Sequence, residues 1–388
     1  RTNMPVMLPT RPKARLLSIL FMIAALCHAF PGEAQNLPPI FFQIGDSSAT
    51  QGYYFLIPYS NSGPFIYDNP LLIMDSLGRT VFYRSFHHAA NANPVIDFKL
   101  QKNGMMSYFN TNTEKSYLMD STFTDVDSIG CANGYTTDQH DLQVSAGNHY
   151  LLFGKEARTM NLTAYHWFGI NGTQPGSANA QVTAVVIQEF DENKNLVFEW
   201  KAHDHYLFGD VNPVYLFSPG KVDWTHANAV EFDNDGNILL SLRHFDEITK
   251  IDRSTGDIIW RFGGKQNQFT FLNDTIGFSG QHDIRRVDNT SVSMLDNGQY
   301  TNPPICRALT YSLDENSKTA DLTWEYIYDS AMYSVACGSH QCISNGNHLA
   351  DFGFNLTGFP FMVLTKPDKS SILELSSIDG YTSYRAYN

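Results

Sequence analysis

Four histidines recur at the same place in a repeating pattern: Gln139-His140-Asp141, Thr225-His226-Ala227-Asn228, Gln281-His282-Asp283 and Ser339-His340-Gln341. Imidazole serves near neutral pH as nucleophile, proton donor or proton acceptor, because its ordinary pKa of about 6.5 keeps both forms within reach. Arg243, in Ser241-Leu-Arg-His244, ends the strand expected to pair with the one that His226 opens. A guanidinium beside imidazoles is a clamp for an oxyanion. Four imidazoles can also hold a transition metal, but the permanent charge of Arg243 repels a cation and favours an anion. Taken singly, each histidine reads equally well as a hydrogen-bonding device of a structural repeat, and Arg243 as a surface arginine. Taken together they read as a site, with Asn228 and His340 as further polar lining.

The elements that position these residues are short strands. Asp233-Asn-Asp-Gly-Asn237 leads into Ile238-Leu-Leu-Ser-Leu-Arg243, and Asp252-Arg-Ser-Thr-Gly256 leads into Asp257-Ile-Ile-Trp-Arg-Phe262. Apolar, β-branched and aromatic runs bounded by Asn, Asp and Gly are the pattern of hairpins, and no stretch carries a helical period. Trp200, Trp260 and Trp324 mark the outer strands of three such units. Blades are expected at 51–88, 95–130, 140–201, 226–262, 282–327 and 340–385. Units of about 40 to 50 residues with four strands each are propeller blades. The expected fold is therefore all-β, a six-bladed β-propeller over residues 35–388, whose innermost strands bring the histidines together around a central channel. The third blade and the connection after it are expanded, and such insertions usually sit on the binding face.

Composition narrows the function. The chain has 388 residues, a formal net charge of -13 and 13% aromatic residues. Rings favour strands. So acidic a chain, with no long Lys/Arg run, is a poor partner for nucleic acid or an anionic membrane, both of which need a basic surface. Arg11, Lys13 and Arg15 precede an apolar run from Leu16 to Cys27, followed by Gly32-Glu-Ala34. Residues 1–34 thus read as a cleavable signal peptide, since the apolar run is too short for a membrane span, and export to the periplasm or exterior is expected. Outside the cytosol Cys131, Cys306, Cys337 and Cys342 are candidates for two disulfides with open connectivity, Cys337 with Cys342 being the easy pair. Asn161, Asn171, Asn273, Asn289 and Asn355 each begin a sequon, which marks surface loops in a eukaryotic secreted protein.

The chain resembles the arylsulfotransferase family, the PAPS-independent aryl-sulfate sulfotransferases, in its compact, propeller-only branch. The resemblance rests on Asp223-Trp-Thr-His-Ala-Asn-Ala-Val230, Ile238-Leu-Leu-Ser-Leu-Arg-His244, the run from Lys250 to Gly264, and Ser279-Gly-Gln-His-Asp283 followed by Leu295-Asp-Asn-Gly298, and it extends to Ser383-Tyr-Arg-Ala-Tyr387. It implies a sulfuryl group passed from an aryl sulfate donor to a phenolic acceptor by ping-pong exchange through a covalent sulfohistidine, without a cofactor or metal. His282 matches the nucleophile; His140, His226 and Arg243 match the groups that hold sulfate oxygens and handle the phenol proton. Gln139 stands where the family often has a second histidine. Sulfuryl transfer, like phosphoryl transfer, has a loose transition state, so positioning and charge carry most of the catalysis.

Two other classes compete. A non-catalytic secreted propeller would bind a sulfated ligand or a protein partner with the same polar lining. A quinone-dependent dehydrogenase is suggested by Thr255-Gly-Asp-Ile-Ile-Trp260, but six blades and the histidine cluster count against it.

Overall fold

A computed structural model describes residues 37–388, apart from 49, 51, 61–66, 88–93, 170–171, 356 and 378–379. The expected leader and the Asn171 sequon lie outside the described residues. Regular structure is almost all strand: among the described residues the helical segments are four single turns of 3-10 type, Ala202–Asp204, Phe208–Asp210, Pro213–Tyr215 and Arg243–Phe245. No helix among these residues is long and apolar enough to cross a membrane.

Six sheets form six blades, antiparallel throughout except that Lys221–Asp223 adds in parallel to the third and Thr270–Leu272 in parallel to the fifth. The fourth, which the sequence pattern marks best, runs Ala227–Phe232, Ile238–Leu242, Glu247–Ile251 and Ile258–Gly263 from inside to outside. Its turns fall at the predicted Asn/Asp/Gly clusters. Gly236 takes φ +88°, the left-handed conformation that favours glycine at a tight reversal. The second blade starts at Val95–Leu100, the third at Thr136–Val144, the fifth at His282–Arg286 and the sixth at Ser339–Cys342. These innermost strands contact one another in a closed ring.

The ring closes differently from the expected repeat layout. Tyr381–Tyr387 does not belong to the last blade; it is the innermost strand of the first, hydrogen-bonded to Tyr53–Ser60 with Tyr59 opposite Thr382. The N-terminal strand Ile40–Ile44 in turn pairs with Ser371–Ser377 on the outer edge of the sixth blade. Each end of the chain thus completes a sheet begun by the other. Closure turns the short inner edges of the six blades toward the central channel, where they are sheltered from other chains.

Blades pack through apolar faces. Leu240 and Ile251 of the fourth blade meet Val182 and Ile187 of the third, and Leu239 and Phe262 meet Val292 and Tyr311 of the fifth; all eight are fully buried. Each aliphatic or aromatic side chain so buried contributes about 1.5 to 3 kcal/mol. Two expectations about the surface are corrected. Cys131, Cys306, Cys337 and Cys342 are all free. Cys337 and Cys342 fail to pair because Ser339–Cys342 between them is extended, and they face different neighbours: Cys337 meets Tyr59, Cys342 meets Thr310. Asn355 is not a surface sequon; it is buried, and its amide donates to the Phe359 and Pro360 carbonyls.

Candidate active site

Three of the four repeat histidines converge. The His140 and His226 rings lie 5.1 Å apart, edge to face, and His226 stacks on His244 with centroids 4.6 Å apart. His140 enters on the third blade's inner strand. His226 precedes the fourth blade's inner strand with φ +43°, a turn that throws its ring across the channel mouth. Each ring is oriented by a carboxylate at Nδ1, Asp138 for His140 and Asp223 for His226. Burial pushes the Asp138 carboxyl up, but the charges of His140 and Lys155 outweigh it and hold the group well below the usual range. With Nδ1 engaged, Nε2 is the nitrogen that each ring has left for another partner.

His282 lies behind them, 1% exposed. Its tautomer follows from its neighbours. The Asn297 side-chain amide donates through Nδ2 to the Ser334 carbonyl, the Ser334 hydroxyl and the Cys337 carbonyl, so its Oδ1 must face His282. That oxygen lies 2.7 Å from His282 Nδ1, which therefore carries the proton. Nε2 keeps the lone pair and accepts the backbone N–H of Cys337 at 3.1 Å. Burial, then the nearby charge of Arg243, holds the His282 imidazole well below its usual pKa, in the neutral, nucleophilic form.

Arg243 begins the single turn Arg243–Phe245 after the strand Ile238–Leu242. Its guanidinium lies over the Tyr215 ring, 5.0 Å from the centroid, and donates a long bond of 3.3 Å to the Val335 carbonyl. Its Nε is buried without a partner. A half-buried guanidinium with donors to spare has the charge and the planar fork that suit an anion. Tyr215 comes from the insertion between blades three and four, which thus reaches Arg243.

A cavity of about 500 Å³ opens at this end of the channel, lined by Tyr59, Gln139, His140, His226, Cys337 and Tyr384 among others. The tyrosines were not singled out by sequence reasoning. Tyr384 lies in the C-terminal stretch that carried the resemblance, but its arrival at the site depends on the terminal strand joining the first blade.

Below the cavity an ionic network fills the channel. Lys99 bridges Asp97 and Asp141; Arg285 bridges Asp141 and Asp283; Arg385 reaches Asp97 at 3.4 Å and donates to the carbonyls of His140 and Asn228. Three cations face three carboxylates, so the plug is neutral and fixes the start of the strands that carry the site.

Asn228 and His340 are placed differently from the expected polar lining. Asn228 is fully buried in the joint between blades four and five, donating to the Gln281 carbonyl at 2.7 Å. His340 turns away from the cavity into the joint between blades five and six, with Nδ1 3.0 Å from the Leu309 carbonyl and Nε2 3.0 Å from His348 Nδ1. The inner strand of the sixth blade starts one residue before its histidine, whereas that of the fifth starts on His282, and the His340 ring lies on the blade-packing face. Burial pushes His340 down to about 3 and His348 down to about 4.

No curated protein matches the chain. Solved structures similar to it include a protein of unknown function from Bacteroides caccae, at 10% identity and TM-score 0.49 over 86% of this chain and 97% of that one. The Cps50 (Swd1) β-propeller domain of Myceliophteria thermophila gives 8% identity and TM-score 0.45, covering 88% and 86%. Virginiamycin B lyase from Staphylococcus aureus gives 9% and 0.39, covering 88% and 100%. The family profile Arylsulfotransferase (ASST) matches residues 57–369, a span that includes His140, His226, Arg243 and His282 and leaves out the strands Ile40–Ile44, Ser371–Ser377 and Tyr381–Tyr387, and the chain belongs to the arylsulfotransferase family.

Proposed function

We propose that this protein is an exported aryl-sulfate sulfotransferase that needs no PAPS and works by ping-pong exchange through a sulfohistidine on His282. The observation that carries the reading is the fixed tautomer of His282: Nδ1–H held by Asn297 and a neutral, buried Nε2 bearing the lone pair beside the under-used guanidinium of Arg243. In the first half-reaction Nε2 attacks the sulfur of an aryl sulfate. The N–S bond forms as the S–O(aryl) bond breaks, and the departing phenolate takes a proton from His140 or His226. In the second, an acceptor phenol gives its proton to the same group and its oxygen takes the sulfuryl group, which restores neutral His282. Arg243 holds the sulfuryl oxygens throughout, a task for which a charge that is never lost is suited. Tyr59 and Tyr384 form walls fitted to a flat phenol.

A second reading, a non-catalytic propeller that binds a sulfated ligand, draws support from the Cys337 amide that already occupies Nε2. One experiment separates the two. The purified chain is incubated with 4-nitrophenyl sulfate, and its intact mass and tryptic peptides are measured. A gain of one sulfuryl group on the peptide containing His282, discharged by added phenol and absent in His282→Ala, is expected. No adduct and no nitrophenol release over a panel of aryl sulfates would leave the binding reading in its place.

A further inference from the structure

Outside the catalytic cavity, one group of side chains has the donors and spacing of a metal centre. His340 and Cys342 are alternate residues of the strand Ser339–Cys342, so their side chains leave the same face. His348, on the next strand, is the cross-strand partner of Cys342 and shares that face. The hairpin thus sets out His-x-Cys on one strand and His on the other. His340 Nε2 lies 3.0 Å from His348 Nδ1, Cys342 Sγ lies 3.6 Å from the same nitrogen, and all three atoms fall within 4.8 Å of one another.

These separations are those of ligands around a tetrahedral ion. With Zn–N of about 2.0 to 2.1 Å and Zn–S of about 2.3 Å, tetrahedral angles place two nitrogens about 3.3 Å apart and a nitrogen about 3.6 Å from a sulfur. The second nitrogen of His340 is held by the Leu309 carbonyl, the usual outer partner of a metal-bound imidazole, which leaves Nε2 as the lone-pair nitrogen. Trp324 fixes the His348 ring by parallel stacking, centroids 3.7 Å apart and planes 4° apart. No carboxylate joins the group, and one thiolate with two imidazoles suits zinc-class ions over magnesium or calcium.

The geometry points to a zinc-class metal site formed by His340 Nε2, Cys342 Sγ and His348 Nδ1, its fourth position open to a solvent molecule. Binding replaces the thiol proton of Cys342, released to solvent, with a metal–sulfur bond. The ligands belong to blade six, whereas Leu309 and Trp324 belong to blade five. The ion therefore braces the joint between the two blades, on the strand that follows the Cys337 loop of the active site. The site is independent of the sulfuryl-transfer reading, since neither Cys342 nor His348 lines the catalytic cavity.

The test uses the full chain, reduced and freed of metal by chelation, titrated with Co2+ as the probe. One equivalent is expected to bind with a near-ultraviolet thiolate-to-cobalt charge-transfer band and intense visible bands of tetrahedral cobalt, and Zn2+ is expected to displace it. The band should vanish in Cys342→Ser and the affinity should fall at least tenfold in His348→Gln, while Cys131→Ser keeps both. His348 is partly exposed, so His348→Gln carries the test if Cys342→Ser does not fold. The absence of a charge-transfer band in the wild type overturns the site, and so does a band that survives Cys342→Ser. Cobalt bound without that band overturns it too, because it places the ion on Asp223, His226 and His244, the other spaced group among the described residues, which has no sulfur.

Discussion

The backbone amide of Cys337 donates to Nε2 of His282 across 3.1 Å, and two residues earlier the Val335 carbonyl accepts from Arg243. One loop thus meets, with its own N–H and C=O, the two groups assigned to the sulfuryl group. Attack on sulfur requires the Cys337 peptide to swing off Nε2. Asn297 links the two ends of this arrangement, since one amide accepts from the nucleophile and donates to the Ser334 and Cys337 carbonyls. Asn297→Ala frees the imidazole to take the wrong tautomer and unpins the loop. Single-turnover sulfation of His282 is expected to slow about 100-fold, with KM little changed, an effect of the size seen when a histidine loses its orienting partner. A change of less than threefold would show that the Gly280 carbonyl, 3.0 Å from Nδ1, suffices to hold the tautomer.

His282 also sets the pH profile. Burial and the Arg243 charge hold its pKa well below the ordinary value, so protonation does not compete with attack at mildly acidic pH. The rate of adduct formation with 4-nitrophenyl sulfate, whose weakly basic nitrophenolate departs without a proton from His140 or His226, is followed by stopped-flow release of nitrophenol and is expected to stay flat between pH 8 and about 6. An ordinary imidazole of pKa about 6.5 would lose half its nucleophilic form within that interval. A fall centred near 6.5 would contradict the buried, neutral assignment.

Arg243 is the group whose replacement separates charge from geometry. Arg243→Ala removes the anion's partner and should lower kcat/KM about 100- to 1,000-fold, the range for loss of one preorganised oxyanion donor. Arg243→Lys restores charge without the planar fork, and a lysine cannot keep both the stack on Tyr215 and two donors toward sulfate. It should recover less than a tenth of the loss. Full recovery by lysine would reduce Arg243 to a point charge.

The fold was largely legible because each blade writes its own turns: Asp233 to Asn237 and Asp252 to Gly256 stand where the hairpins reverse. That His140 and His226 come together was legible because each belongs to the entry of an inner strand, where a repeat fixes position regardless of what surrounds it. What failed was anything that depends on ring closure or on which way a side chain turns. Tyr381–Tyr387 reads as the last strand of the last blade, since nothing local says that it pairs with Tyr53–Ser60. His340 occupies the expected place in the repeat but faces the blade joint, because a strand start shifted by one residue exchanges the two faces. Asn297 lies in a turn-like Asp-Asn-Gly run and reads as turn chemistry, not as the partner of a nucleophile.

The channel plug makes a prediction about stability. Arg385 is fully buried and lies among Asp97, Asp141 and Asp283 while donating to the carbonyls of His140 and Asn228. Arg385→Met keeps much of the volume but leaves three carboxylates facing two cations. Breaking a buried ion pair from one side costs about 3 to 5 kcal/mol. Denaturant unfolding should show a loss in that range at unchanged m-value, and a loss below 1 kcal/mol would mean that water enters the channel and screens the network.

Asp351 gives the last prediction, because it is a buried acid in no ion pair among the described residues and with no hydrogen bond to its carboxyl oxygens. It is fully buried at the end of the strand His348–Asp351, and neither carboxyl oxygen has a hydrogen-bond partner. Burial, then the neighbouring Asp283 charge, pushes its pKa well above the ordinary carboxyl value, against the pull of Arg385. The native state therefore keeps a proton on Asp351 that the unfolded chain, with a carboxyl pKa of about 3.9, has already lost by pH 5. Where the native state binds the extra proton, stability falls as pH rises, by about 1.4 kcal/mol per pH unit for one group, until the folded-state pKa is passed. Asp351→Asn removes this term and keeps the shape. The variant and the wild type should differ least in unfolding free energy near pH 4. The difference should then move in favour of the variant by about 1.4 kcal/mol for each unit between pH 5 and the folded-state pKa of Asp351. A difference independent of pH, measured by urea denaturation at pH 5, 6, 7 and 8, would show that Asp351 is ionised in the folded protein and that Arg385 compensates it.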